Sequence, residues 1–281
     1  MFYDLVSQSC HACPEPRALR SGGGKPLTRR LAALAVAAAL MTGTAVPAFA
    51  DVYDIRKGSI TIVANGDGTA KVTQNETVND KDDDVKVTGS NEVTGNTVDI
   101  INNTDNDLKV TLSDVTITDP KGDAAPVSVS GTGNTAIELD GSNTLKSSGW
   151  HAGLERNEEK NSDGNVVSGK LTIQDDNDNA GSLTATSGYF GAGIGGGSAK
   201  AGQVTITGGT ITAISGDGAG IGGGQGNMGS NAGNADIEIS GGTIEATGGY
   251  ASAGIGGGNW GDANIKITGD AVIKSAVGGG G

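Results

Sequence analysis

The stretch "GAGIGGG" at 191–197 decides how this chain is read. Gly191, Gly193 and Gly196 stand in the G-x-G-x-x-G spacing that can cradle a dinucleotide pyrophosphate. The heptad returns at 218–224, and "SAGIGGG" follows at 252–258. A phosphate loop needs a strand before its glycines and a helix after them. Here each copy runs into a polar, glycine-rich stretch and then another alternating segment, with no helical apolar period in 51–281. The glycines therefore read as part of a structural repeat.

Working outward, the shared alanine falls at Ala192, Ala219 and Ala253, with a degenerate copy, "HAGL", at Ala152. Two short patterns recur between the copies. One is "KLTIQ" (170–174), "QVTITGG" (203–209), "DIEISGG" (236–242) and "NIKITGD" (264–270). The other is "SLTATSG" (182–188), "TITAISG" (210–216), "TIEATGG" (243–249) and "AVIKSA" (271–276). Alternation of Val, Ile or Leu with Thr, Glu or Lys marks half-buried strands, and the Gly-Gly and Gly-Asp pairs mark turns. Length varies only at fixed places, such as "DDNDNA" (175–180) and "QGNMGSNAGNA" (225–235). Variable inserts at constant points of a repeating unit are the signature of a solenoid.

The earlier half carries the same material in looser form, from "SITIVA" (59–64) through "DLKVTLSDVTIT" (107–118) to "TAIELDG" (135–141). The expected fold is all-β, a single-stranded right-handed parallel β-helix over 51–281. Residues 51–80 form its first coil or cap, and 150–281 form its most regular coils. Of the 50 glycines, 33 lie in 181–281, so these coils should also be the tightest. Collagen is excluded because the glycines lack a three-residue period.

Residues 29–50, "RRLAALAVAAALMTGTAVPAFA", read as the end of a leader and a secretory signal at 1–50, with cleavage after Ala50. Cys10 and Cys13 fall in that part, so the mature chain from Asp51 would contain no cysteine. Residues 51–281 hold 14 Lys and Arg against 30 Asp and Glu, a net charge of −16. Phosphate backbones and anionic membranes would be repelled. A soluble, secreted or wall-attached monomer without a transmembrane segment is expected. The closing "GGGG" falls inside a repeat, as though the C-terminal end were truncated.

"DLKVTLSDVTI", "TAIELDGSNTLKSSG", "LTIQ…GSLTATSG" and the AGIGGG copies resemble β-helical surface proteins of Gram-positive, often gut-dwelling, bacteria. Some of these are classed as carbohydrate-binding domains. The resemblance covers 84–281 and implies extracellular binding of plant cell-wall or mucin-type polysaccharide, with calcium assisting.

Two residue sets could carry chemistry. Aligned on the repeated alanine, Trp150, Tyr189, Phe190 and Tyr250 fall at nearby positions of successive coils, with Trp260 just past the third copy. Stacked coils would turn them into an aromatic column able to hold the apolar faces of sugars; the plainer reading is a ring ladder covering a corner. The acidic turns holding Asp82, Asp83 and Asp84, and Asp175, Asp176 and Asp178, carry the hard oxygen ligands calcium prefers. The second turn lacks a calcium loop's closing glutamate, having Ser187 instead, so a solvated turn is the simpler account. No cofactor is required.

A polysaccharide lyase or hydrolase is the reading from a different class. No set of residues with assignable roles supports it: 51–281 contains two arginines, Arg56 and Arg156, and one histidine, His151. The runner-up to polysaccharide binding, ahead of the enzyme, is a non-binding adhesin stalk or spacer.

Overall fold

The computed structural model describes residues 51–121, 123–177, 179–226 and 233–280; residues 1–50, where a leader and signal are expected, and Asp178 lie outside them. The chain is a parallel β-helix of three faces. Face I stacks Val52–Asp54, Val85–Thr88, Leu108–Ser113, the first half of Thr135–Ser147, Leu171–Gln174, Gly202–Ile206, Ala235–Ile239 and Ala263–Ile267. Face II stacks Val93–Thr94, Thr116–Thr118, the second half of Thr135–Ser147, Gly181–Ser187, Thr210–Ser215, Thr243–Thr247 and Val272–Val277. Face III stacks Ile60–Ala64, Val98–Ile101, Val127–Ser130 and then the two-residue strands Leu154–Glu155, Ile194–Gly195, Ile221–Gly222 and Ile255–Gly256. Each turn of chain visits face I, face II and face III in that order.

Alternation sends one residue type inward at each rung. On face I, Val85, Val110, Ile137, Ile173, Ile206 and Ile239 are buried; the pairings Val85 with Val110, Val110 with Ile137 and Ile137 with Ile173 begin their column. On face II, Leu145 pairs with Ala185, Ala185 with Ala213, and Ala213 with Ala246, all buried. The change from leucine to alanine narrows the interior where the AGIGGG copies begin.

That narrowing explains the motif. Face III lies so close to face II that a Cβ on Gly193 would sit 2.6 Å from the Ile214 nitrogen, and one on Gly220 would sit 2.7 Å from the Thr247 nitrogen. Ile214 and Thr247 are themselves paired rungs, so the close approach repeats from coil to coil. The next glycine of each copy, Gly195, Gly222 and Gly256, turns the chain at φ +131, +133 and +142°, where a side chain is strained. The N–H of Ala192 donates to the Gly196 carbonyl at 2.8 Å, closing the motif into a narrow loop, and Ala219 and Ala253 repeat the bond. Among the described residues no helix follows any copy, and the glycines bring two walls together.

The N-terminal end departs from a uniform winding. A 3-10 turn, Ile55–Lys57, takes the place of the first face II strand. Ala70–Gln74 and Thr77–Asp82 then pair antiparallel on the edge of Ile60–Ala64, extending face III by two strands. Ala70 and Val72 are buried there, and the Tyr53 hydroxyl donates to Asp82 at 2.7 Å, pinning the added strands to the first coil.

Candidate functional site

The corner between faces II and III gathers most of the aromatic residues. Ser147 pairs with Ser187 and Ser187 with Ser215 at the end of face II, setting the register of the corner that follows. These serines are buried, and their hydroxyls serve the main chain. Ser147 and Ser187 Oγ donate to the His151 carbonyl at 2.5 and 3.1 Å, and Ser215 Oγ donates to the Gly191 carbonyl at 2.7 Å. From the other side, the Ser198 N–H donates to the Trp150 carbonyl and the Gln225 N–H to the Phe190 carbonyl, both at 2.6 Å. The backbone beneath the rings is thus held on both flanks.

Trp150 stacks on Phe190 with ring centroids 4.7 Å apart and planes tilted by 41°; Tyr189 lies against Phe190 at 6.2 Å. Phe190 is half-buried between its neighbours, whereas Trp150 and Tyr189 remain 55% and 58% exposed. Phe190 acts as the support and Trp150 as the presented surface. The expected five-ring column is shorter than the alignment implied. Asp217 occupies the corner of the intervening coil, which is one residue shorter between its serine and its isoleucine, so Tyr250 stands apart from the stack. Trp260 lies on the other corner, between Ile255–Gly256 of face III and Ala263–Ile267 of face I.

Directly beside Trp150, His151 Nδ1 lies 2.8 Å from Glu155 Oε2. That oxygen also accepts the Ala152 N–H at 3.0 Å, while Glu155 Oε1 accepts from Asn157 Nδ2 at 2.9 Å. The hydrogen bond to Glu155 holds the imidazole above its usual value, against the effect of burial; Asp123 adds to the rise through its charge and its main chain. Residues of three successive coils meet here. The "ERNEEK" charge run begins with this glutamate, and its buried role could not be read from a sequence in which charge runs are most simply solvated.

Arg156, one residue further, is fully buried. It takes the place that Gly196 holds in the regular copies and fills the interior with its own side chain. The guanidinium donates to the carbonyls of Val129 (3.2 Å), Gly131 (2.8 Å) and Gly169 (2.5 Å). Burial lowers its pKa, with Glu159 acting in the opposite sense. The residue is a clamp between coils and is closed to a ligand.

Among the described residues, the carboxylates of the acidic turns are either engaged in hydrogen bonds or exposed. Asp82 is buried and engaged, accepting from the Tyr53 hydroxyl and the Asp84 N–H, while Asp83 and Asp84 are exposed. Asp175 Oδ2 accepts the Gly181 N–H at 3.1 Å, and Asp176 is exposed. Among the described residues no group of three or more His, Cys, Asp or Glu is placed to hold a metal ion.

What organises the 175–177 turn is a pair that sequence reasoning missed. Glu138 and Asp140 are almost completely buried on the outward side of face I. Glu138 accepts the Asp176 N–H (2.9 Å) and Gln174 Nε2 (2.8 Å). Asp140 accepts Lys86 Nζ and Asn177 Nδ2, both at 2.6 Å. Burial pushes the Asp140 carboxyl up, but Lys86 and Asn177 outweigh it and leave the group below its ordinary value. The only hint in the sequence was an acidic residue at two outward positions in a row on one strand.

A β-helix repeat family model matches residues 179–198, 204–225 and 237–259. The first match begins two residues before a face II strand and the other two begin on face I strands; each ends one residue past an AGIGGG copy. Neither a curated protein nor a solved structure matches the chain. Among the described residues, no helix is long and apolar enough to cross a membrane.

Proposed function

We propose that the protein is an exported, non-enzymatic β-helix module that binds extracellular polysaccharide at the corner carrying Trp150, Phe190 and Tyr189. The observation that carries this reading is the state of Trp150: a large ring more than half exposed, stacked on Phe190, over a backbone bonded from both sides. A fixed aromatic surface offers apolar contact to a sugar face with little ordering cost on binding. His151, Glu155 and Asn157 lie alongside as polar groups. Export is supported by the leader pattern before Asp51, and a net charge of −13 for the whole chain suits a ligand that is neither nucleic acid nor an anionic membrane.

Titration of residues 51–281 with polygalacturonate, xylan and mucin, followed by tryptophan fluorescence with and without chelator, tests the proposal. Binding should change the emission and should be lost in Trp150→Ala but kept in Trp260→Ala. A flat response to all three would leave the stalk reading, and release of reducing ends or unsaturated products would mean an enzyme.

A further inference from the structure

The outward side of face I holds a second polar feature, away from the aromatic corner. Gln203 pairs with Asp236 and Asp236 with Asn264, forming one outward row. Thr172, Thr205, Glu238 and Lys266 form the neighbouring row, two residues along each strand. The rows border a hollow of about 230 Å³, with Lys170 at its edge. Architecture alone does not demand this. On face II of the same coils three of the six outward pairs join short hydroxyls, Ser182 with Thr210, Thr184 with Thr212 and Thr210 with Thr243, and the other three bring in Ile214 or Glu245.

The polar groups are partly pre-paired. Asn264 Nδ2 donates to Asp236 Oδ1 (2.9 Å), Lys266 Nζ to Glu238 Oε1 (2.6 Å) and Ser168 Oγ to Gln203 Oε1 (3.1 Å). These bonds hold the side chains in place. They leave the Gln203 amide N–H groups and the second oxygens of Asp236 and Glu238 free for a ligand. Two ammonium groups face two carboxylates, so the hollow has no net charge within a strongly acidic protein. A polyanion would meet Asp236 and Glu238, and a polycation would meet Lys170 and Lys266. Donors and acceptors also repeat along the coil axis at the strand spacing of about 4.8 Å.

We infer that this hollow is a second binding site, taking a neutral, polyhydroxylated sugar chain laid along the coil axis. It shares the ligand class of the proposed function and rests on that reading only for the export of the protein. The hollow is smaller than the roughly 300–1,000 Å³ of drug-sized pockets, which fits one sugar ring making hydrogen bonds and little apolar contact. Its affinity should therefore be weak.

Side-chain amide signals in ¹H–¹⁵N NMR read the site directly. With cellohexaose or xylohexaose at millimolar concentration, the Gln203 and Asn264 amides should shift; with oligogalacturonate they should not. The shifts should survive in Trp150→Ala and should need at least fivefold more ligand in Gln203→Ala/Asp236→Ala. Silent amides alongside a fluorescence response at Trp150 would overturn this site and leave the corner site standing. Amides that shift equally with oligogalacturonate, or only when Trp150 is present, would also overturn it.

Discussion

Placing a methyl group at Gly193 tests the close packing of faces II and III. A Cβ there would lie 2.6 Å from the Ile214 nitrogen, 2.7 Å from the Gly220 carbonyl oxygen and 2.9 Å from the Ile214 carbonyl oxygen. Ordinary contact begins near 3.4 Å, so the walls must part by about 0.8 Å, and both walls are main chain with hydrogen bonds to neighbouring coils. No side chain can rotate away. Overpacking costs about 1–3 kcal/mol and occasionally more, and a clash of backbone against backbone belongs at the upper end. Gly193→Ala should therefore destabilise residues 51–281 by about 3 kcal/mol, which moves the urea midpoint down by about 1 M for a slope near 3 kcal/mol/M. Gly220→Ala should behave alike, since its Cβ would meet the Gly254 oxygen at 2.6 Å and the Thr247 nitrogen at 2.7 Å. Gly95→Ala is the control: its nearest neighbour would be the Asp119 carbonyl oxygen at 3.5 Å, and its stability should stay within about 0.5 kcal/mol of the parent's. Unfolding followed by far-ultraviolet circular dichroism measures all three. If Gly193→Ala and Gly220→Ala unfold with Gly95→Ala, the two faces do not touch as described.

Two further outcomes follow from the buried polar groups. His151 has a folded-state pKa above its unfolded value of about 6.5 because Glu155 holds the protonated ring. Its contribution is fully present below that unfolded value and is lost as pH rises through the higher folded one. The urea midpoint should fall across that window in the parent and stay flat across it in His151→Ala. Arg156→Ala should cost about 3 kcal/mol or more, because it removes a fully buried side chain together with its hydrogen bonds to the carbonyls of Val129, Gly131 and Gly169. Arg156→Lys should recover only part of this, since a single ammonium cannot span the planar fork of contacts; urea midpoints check both.

The stacking of coils was legible because apolar alternation and the AGIGGG recurrence are local patterns, and both survive in the structure as inward columns and as the narrow third face. Pairing direction was not legible in the same way. "AKVTQ" at 70–74 alternates like every later strand, yet it pairs antiparallel, because a period of two carries no information about which neighbour a strand meets. The ring column was over-read for a related reason. Alignment on Ala192 placed Tyr250 near Phe190, but Asp217 intervenes in the coil between them, and Trp260 falls one corner later. Glu155 and Arg156 were hidden in a charged stretch that resembles a solvated loop. Their burial depends on carbonyls and N–H groups contributed by other coils, and these can be located only once the register is known.

The register itself can be measured. Residues 51–281 contain no cysteine, so introduced pairs can form only the intended bond. Thr184 and Thr212 face outward as direct partners on adjacent coils, as do Thr212 and Glu245, whereas Thr184 and Glu245 are two coils apart. Neighbouring strands lie about 4.8 Å apart, within disulfide reach, and alternate ones about 9.6 Å apart, beyond it. Oxidation should therefore close Thr184→Cys/Thr212→Cys and Thr212→Cys/Glu245→Cys, as seen by mass spectrometry of digested protein, and leave Thr184→Cys/Glu245→Cys open. Closure of the third pair in preference to the first two would contradict the stacked-coil account.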